Sequence, residues 1–228
     1  MFSPAEWDAI ALSFQVSLVA TLCSLPLAVF TAYALARWTF PGKQIVNGLV
    51  HLPLILPPVV TGYLLLSVFS TRGFFGAALE RVGLVFAFQW TGAALAAGIM
   101  AFPLIVRAIR LSIEAVDPRL EEAASTLGAS PFSKFRTLTL PLVLPGIVAG
   151  GVLGFAKAMG EFGATITFVS NIPGQTQTLP SAIYAFLQVP GGESSALRLV
   201  LVSVAIAMLA LVLSEILAQR LARRVAGR

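Results

Sequence analysis

The stretch "VDPRLEEAASTLGASPFSKFRTLTLPLVLPGI" (residues 116–147) begins polar and ends apolar. Read locally, it is two short helices. Asp117 is a good N-cap and Pro118 suits the first helical position. Glu121 and Glu122 fall in the early turns, where the helix dipole favours negative charge. Gly128 is placed to end the first helix. Ser130 and Pro131 repeat the cap-plus-proline start, and Lys134 and Arg136 sit toward the end of the second helix. Leu120, Ala124 and Leu127 stand at i, i+4 and i+7, a narrow apolar stripe. That stripe either packs against the rest of the chain or docks into a groove on a partner. Periodicity alone leaves both open.

On either side of this stretch the chain is strongly apolar. Of 228 residues, 57% are hydrophobic and 11% charged, with a mean hydropathy of +0.90. A soluble domain is about 25% charged. Too little polar surface is available to cover a soluble fold, so the composition points to a membrane protein. The net charge of +5 and pI near 10 would suggest nucleic acid for a soluble chain. In a membrane protein they reflect basic cytoplasmic loops, and no nucleic-acid partner is expected. Cys23 is the single cysteine and His51 the single histidine, which excludes an internal disulfide and a His/Cys metal cluster. The segment "MFSPAEWDAIALSF" carries acids and no Lys or Arg, the reverse of a signal-peptide start. The first apolar run is therefore expected to stay in the mature chain.

A span needs roughly 20 mostly apolar residues. Five stretches qualify, at about residues 11–36, 46–69, 88–106, 138–169 and 196–218. "LPSAIYAFLQV" (residues 179–189) is apolar but too short to cross, and reads as an interfacial or re-entrant helix. The fifteen Lys and Arg residues set the orientation. With the N-terminus outside, eleven lie inside (Arg37, Lys43, Arg107, Arg110, Arg119, Lys134, Arg136, Arg220, Arg223, Arg224 and Arg228). Three lie outside (Arg72, Arg81 and Arg198), and Lys157 falls within a span. The expectation is an all-α membrane protein, residues 1–228 forming one transmembrane domain. It has five transmembrane helices, the N-terminus outside and the C-terminus inside, and a cytoplasmic loop at about 115–137.

That loop carries a resemblance. Glu122-Ala123-Ala124, three residues, Gly128, nine residues, then Leu138-x-Leu140-Pro141 is similar to the coupling motif of binding-protein-dependent ABC importer permeases. The family usually has Ile where Leu138 stands. The resemblance implies the type I ABC importer permease fold, with Leu120, Glu121, Glu122, Ala123, Ala124, Leu127 and Gly128 on a coupling helix that sits in a cleft of a cytoplasmic ATPase. This chain has no P-loop of its own. Its one Gly-Lys pair, Gly42-Lys43, is followed by Gln44, and Arg37 stands where the first motif glycine is needed. No cofactor is expected in the chain, which is not itself an enzyme. ATP and Mg would be bound by the partner ATPase. The resemblance implies a second copy of the chain, two ATPase subunits, an oxyanion-binding protein on the outer face, and a place in the cytoplasmic (inner) membrane of a prokaryote.

Three further stretches resemble the molybdate permeases, with sulfate permeases close behind. They are "FPGKQIVNGLVHLPLILPPVVTGYLLL" (residues 40–66), "AFPLIVRAIRLSIEAVDPRLEEAASTLGAS" (residues 101–130), and "GEFGATITFVSNIPGQTQTLPSAIY" (residues 160–184). "GEFGA" marks an oxyanion group, and "TFVSNIPG" points more to molybdate. Sulfate, thiosulfate and tungstate are the alternatives as cargo, and a secondary anion transporter is the alternative as machine.

Two features within the spans need a physical reason. Three prolines within six residues, Pro53, Pro57 and Pro58, cannot sit together in a regular helix, since each removes a donor and crowds the preceding turn. Irregular backbone at membrane depth is tolerated where protein or water covers it. The second span is therefore expected to bend, with Pro57 and Pro58 either facing the path between two copies or merely bending a helix at the interface. Lys157 and Glu161 lie four residues apart, with Thr165 four further on, and are expected to form one polar stripe on a helix. The pair is open to three readings: a latch between helices, a lining of the anion path, or a lysine that snorkels to the interface.

Overall fold

The computed structural model describes residues 2–71 and 73–225; Arg72 and Arg228, counted above, lie outside them. The described residues form helices and loops. Helix α1 (Pro4–Arg37) begins seven residues before the expected span. Ser3 and Glu6 make a capping box there: the Ser3 hydroxyl accepts from the Glu6 N–H, and the Glu6 carboxylate accepts from the Ser3 N–H. At 1.5 Å per residue α1 is about 51 Å long, more than the roughly 30 Å of a hydrocarbon core.

The second expected span is two helices, α2 (Lys43–Ile55) and α3 (Pro58–Phe69), which meet at 113°. The bend was expected, though Pro53 is accommodated inside α2 and the break falls only at Leu56 and Pro57; with 13 and 12 residues, neither half alone has the length to cross. Its cause is local. Leu56 precedes a proline and takes an extended conformation (φ −67°, ψ 140°), and Pro57 and Pro58 have no N–H to continue the ladder. After a short helix α4 (Phe74–Glu80), α5 (Trp90–Glu114) runs eight residues past the expected end of the third span. Arg110 and Glu114, four residues apart and 2.7 Å from each other, support this extra length.

In the polar loop, α6 (Pro118–Thr126) starts at Asp117 and stops where expected. Gly128 has φ +82°, a conformation that glycine adopts without strain. The Ala129 N–H donates to the Ala124 carbonyl and the Gly128 N–H to that of Ser125, the two bonds of a Schellman cap. The second helix of the loop is not separate. α7 (Pro131–Lys134) continues through a π turn (Phe135–Thr139) into α8 (Leu140–Met159), giving one run of 29 residues. No residue between Lys134 and Leu140 stops it, and wide turns absorb the irregularity. The fourth span ends at Met159, not at residue 169. Gly160, Glu161 and Phe162 are non-helical, and a short α9 (Gly163–Val169) follows. α10 (Leu179–Leu187) has nine residues, too few to cross, and α11 (Glu193–Val225) closes the chain. Among the described residues, four helices are long and apolar enough to span a membrane, or five units if the bent pair counts as one.

The core is built around α5, which packs along α1 and α8. Small residues let these backbones approach: Ala28 and Ala32 on α1, and Ala93, Ala96 and Ala97 on α5, are fully buried. On α8, a Cβ added to Gly154 would lie 2.5 Å from Ile105 side-chain carbons. α11 lies against α8 and α10 and leaves most of its apolar surface uncovered.

Candidate functional site

The residues singled out in the sequence fall at two places. The first is α6. Leu120 and Leu127 are 48% and 88% exposed, so the apolar stripe does not pack against the chain's own helices. Glu122 is also exposed. Glu121, its neighbour, is turned inward. It lies 3.2 Å from Arg37 Nε at the end of α1, and accepts a 2.9 Å hydrogen bond from the Thr139 hydroxyl at the foot of α8. Arg37 also donates to the Val116 carbonyl at 2.9 Å. Lys134 donates to the Ser125 hydroxyl at 2.8 Å, which fixes α6 to α7. The exposed face of α6 is thus held at a set angle to α1 and α8 by the face behind it. The sequence did not mark Arg37 or Thr139 as site residues. A basic residue in the last turn of a helix has an ordinary dipole role, and nothing local linked it to a carboxylate 84 positions away.

The second place is where the two broken spans cross. α3 packs on α9. A Cβ on Gly163 would stand 2.7 Å from that of Pro58, and one on Gly62 would stand 2.5 Å from the Ala164 carbonyl oxygen. The structure therefore brings Pro58 beside the "GEFGA" segment, two features that are a hundred residues apart in the chain. Pro57 and Pro58 are nevertheless exposed. Thr61, buried in α3, has a hydroxyl without a hydrogen-bond partner among the described residues.

Lys157, Glu161 and Thr165 gather around the break rather than along one helical stripe. The helix ends before Glu161 because the chain turns at Gly160. The Lys157 ammonium still reaches Glu161 Oε2 at 2.7 Å, while Glu161 Oε1 accepts from the Ala164 N–H at 3.1 Å. One carboxylate thus joins the last turn of α8 to a free N–H, that of Ala164, in the first turn of α9. Its side chain is 2% exposed and that of Lys157 is 34% exposed. The Thr165 hydroxyl donates inward, to the Phe162 carbonyl at 2.9 Å. Lys157 is held by Glu161, so it does not stretch away from its own segment. A further ion pair was missed in the sequence. Buried Glu6 accepts from Arg198 Nη2 at 2.7 Å and ties the start of α1 to α11. The Ser-x-x-Glu spacing was a signal for the cap but not for the arginine.

The sequence and the fold of the chain both have counterparts in known proteins. Residues 24–227 match the family described as binding-protein-dependent transport system inner membrane component. The chain belongs to that family. The molybdenum transport system permease protein ModB of Escherichia coli (strain K12) is 58% identical over 98% of this chain and 97% of its own length. The protein of the same name from Haemophilus influenzae is 54% identical over 96% of each chain. A crystal structure of a bacterial alginate ABC transporter with its pentasaccharide-bound periplasmic protein contains a similar chain. Its TM-score is 0.76 at 18% identity, covering 97% of this chain and 81% of that one. At that identity the likeness concerns the fold, which is that of an ABC importer permease.

Proposed function

We infer that the chain is the membrane-embedded permease subunit of a molybdate importer driven by a separate ATPase. The observation that carries the cargo is the 58% identity to ModB across almost the whole of both chains. The machine has two copies of this permease in the membrane lipid, two cytoplasmic ATPase subunits that bind ATP and Mg, and an oxyanion-binding protein outside. The permease crosses five times, with the bent α2–α3 pair as the second crossing, the N-terminus outside and the C-terminus inside. The eleven-to-three division of basic residues supports that orientation.

Within this reading α6 is the coupling helix. Its exposed Leu120, Leu127 and Glu122 meet the ATPase, Ala123 and Ala124 keep it slim, and Gly128 ends it. Glu121 acts behind that surface and passes the movement of α6 to α1 and α8. The crossing of α3 and α9 at Pro58 and Gly163 borders the path. Lys157 and Glu161 brace the break in the fourth span, and the third of Lys157 that is exposed gives an anion a weak, partly neutralised contact. A path must let its cargo go, so partial neutralisation suits transport.

The test is ATP-driven uptake by the assembled transporter in vesicles, with molybdate, tungstate and sulfate titrated against the binding protein. Molybdate uptake that depends on both ATP and the binding protein is expected. Uptake that persists without the ATPase would overturn the reading in favour of a secondary transporter.

A further inference from the structure

Both arginines of α5, Arg107 and Arg110, line a cleft. Asn47 and His51 on α2, and Arg107, Arg110, Leu111 and Glu114 on α5, line an open cleft of about 280 Å³. The four α5 positions follow i, i+3, i+4 and i+7 and so form one face. The two α2 positions are i and i+4, the facing stripe of the other helix. Drug-sized pockets begin near 300 Å³, so this volume suits a small ion with its water.

The donors are held ready. Arg110 Nε donates to Glu114 at 2.7 Å and Arg110 Nη1 to the Asn47 side-chain oxygen at 3.0 Å. These two bonds fix the guanidinium plane and leave its other N–H groups free. His51 Nδ1 lies 2.9 Å from the Asn47 carbonyl, which assigns the ring proton to Nδ1 and fixes the ring. Arg107 makes no ion pair among the described residues and is exposed. Two guanidinium groups against one carboxylate leave a net positive cleft, and guanidinium forks suit tetrahedral oxyanions. These two arginines share one cleft with a held amide and an imidazole, a convergent donor set that a scattered surface arginine lacks.

We propose that this cleft is a low-affinity oxyanion site at the cytoplasmic end of the permease, where molybdate rests as it leaves. The proposal rests on the importer reading above for its cargo. Arg107 and Arg110 bind the anion, Asn47 and Glu114 position Arg110, and Glu114 keeps the site weak enough to empty.

The experiment is equilibrium dialysis of molybdate against the assembled permease–ATPase complex in lipid nanodiscs, without binding protein. Discs of phosphatidylcholine alone are compared with discs containing phosphatidylglycerol. Binding by the wild type in both lipids is expected. Arg107→Gln and Arg110→Gln should each weaken it about tenfold, the size of one lost charge-assisted contact. Arg220→Gln, an exposed basic residue elsewhere, should not. Because Arg107 is exposed, its variant keeps the test open should Arg110→Gln fail to assemble. Wild-type affinity in both variants would overturn the proposal. So would displacement of molybdate by phosphatidylglycerol, which would make this a lipid-headgroup site. ATP-driven molybdate uptake by the wild type tests the cargo separately. If sulfate were taken up instead, the cargo reading would fail, and the same dialysis with sulfate would still decide the cleft.

Discussion

Glu121→Ala is the most informative single change. It removes the carboxylate that joins α6 to Arg37 on α1, at 3.2 Å, and to Thr139 below α8, at 2.9 Å. The Arg37 and Glu121 side chains are 15% and 17% exposed, so the pair is neither a free surface bridge nor a dry one. A hydrogen bond to a charged group contributes about 1.5–3 kcal/mol. A loss of about 2 kcal/mol shifts the balance between a tethered and a loosened α6 by roughly thirtyfold. Leu120, Leu127 and Glu122 are untouched, so the ATPase should still bind. The expected result is a complex that assembles and hydrolyses ATP but moves several-fold less molybdate per ATP. Glu121→Gln keeps an acceptor for Thr139 and should fall between. Arg37→Gln should resemble Glu121→Ala, and the double variant should lose less than the sum of the two, since both remove the Arg37–Glu121 contact. The assay is uptake and phosphate release measured together in sealed vesicles. A wild-type ratio in Glu121→Ala, or additive losses in the double variant, would refute the tether.

Three other outcomes follow from the same geometry. Leu127→Ala changes a side chain that is 88% exposed, so it should leave the melting temperature unchanged and reduce co-purification of the ATPase; unchanged co-purification would remove Leu127 from the docking surface. Gly62→Ala would push a methyl to 2.5 Å from the Ala164 carbonyl oxygen, and overpacking of this kind costs about 1–3 kcal/mol. A lowered melting temperature is expected in detergent, with Gly48→Ala, which meets nothing within 4 Å, as the neutral comparison. Glu161→Ala frees both Lys157 and the Ala164 N–H, and should lower thermal stability more than Lys157→Met does. If Lys157→Met alone stopped uptake while melting normally, its contact with the anion would outweigh its bracing role.

The parts of this molecule that were legible in the sequence are those set by neighbours in the chain. Asp117-Pro118 and Gly128 bound α6 because a cap and a left-handed stop act within one turn. Pro57-Pro58 announced a bend because proline acts on its own backbone and on the residue before it. The run of apolar residues also identified the long helices. It placed their ends poorly, since hydropathy is blind to capping: α1 gained seven residues from Ser3 and Glu6, and α5 gained eight with Arg110 and Glu114. The break after Met159 shows the limit most clearly. Lys157 and Glu161 are spaced for a helix, and their ion pair forms, but it forms across a chain turn because the carboxylate is also needed by the Ala164 N–H. Spacing predicted the pair and could not tell a stripe from a hinge. The long-range contacts were invisible for a different reason. Arg37 with Glu121, Pro58 with Gly163, and Asn47 with Arg110 each join segments that only the packing of α1, α3, α5 and α9 brings together. Such contacts carry no local signature, and on the proposed reading of α6 as the coupling helix they set which helices its movement would reach. The residues that would transmit that movement are therefore the ones a linear reading is least able to find.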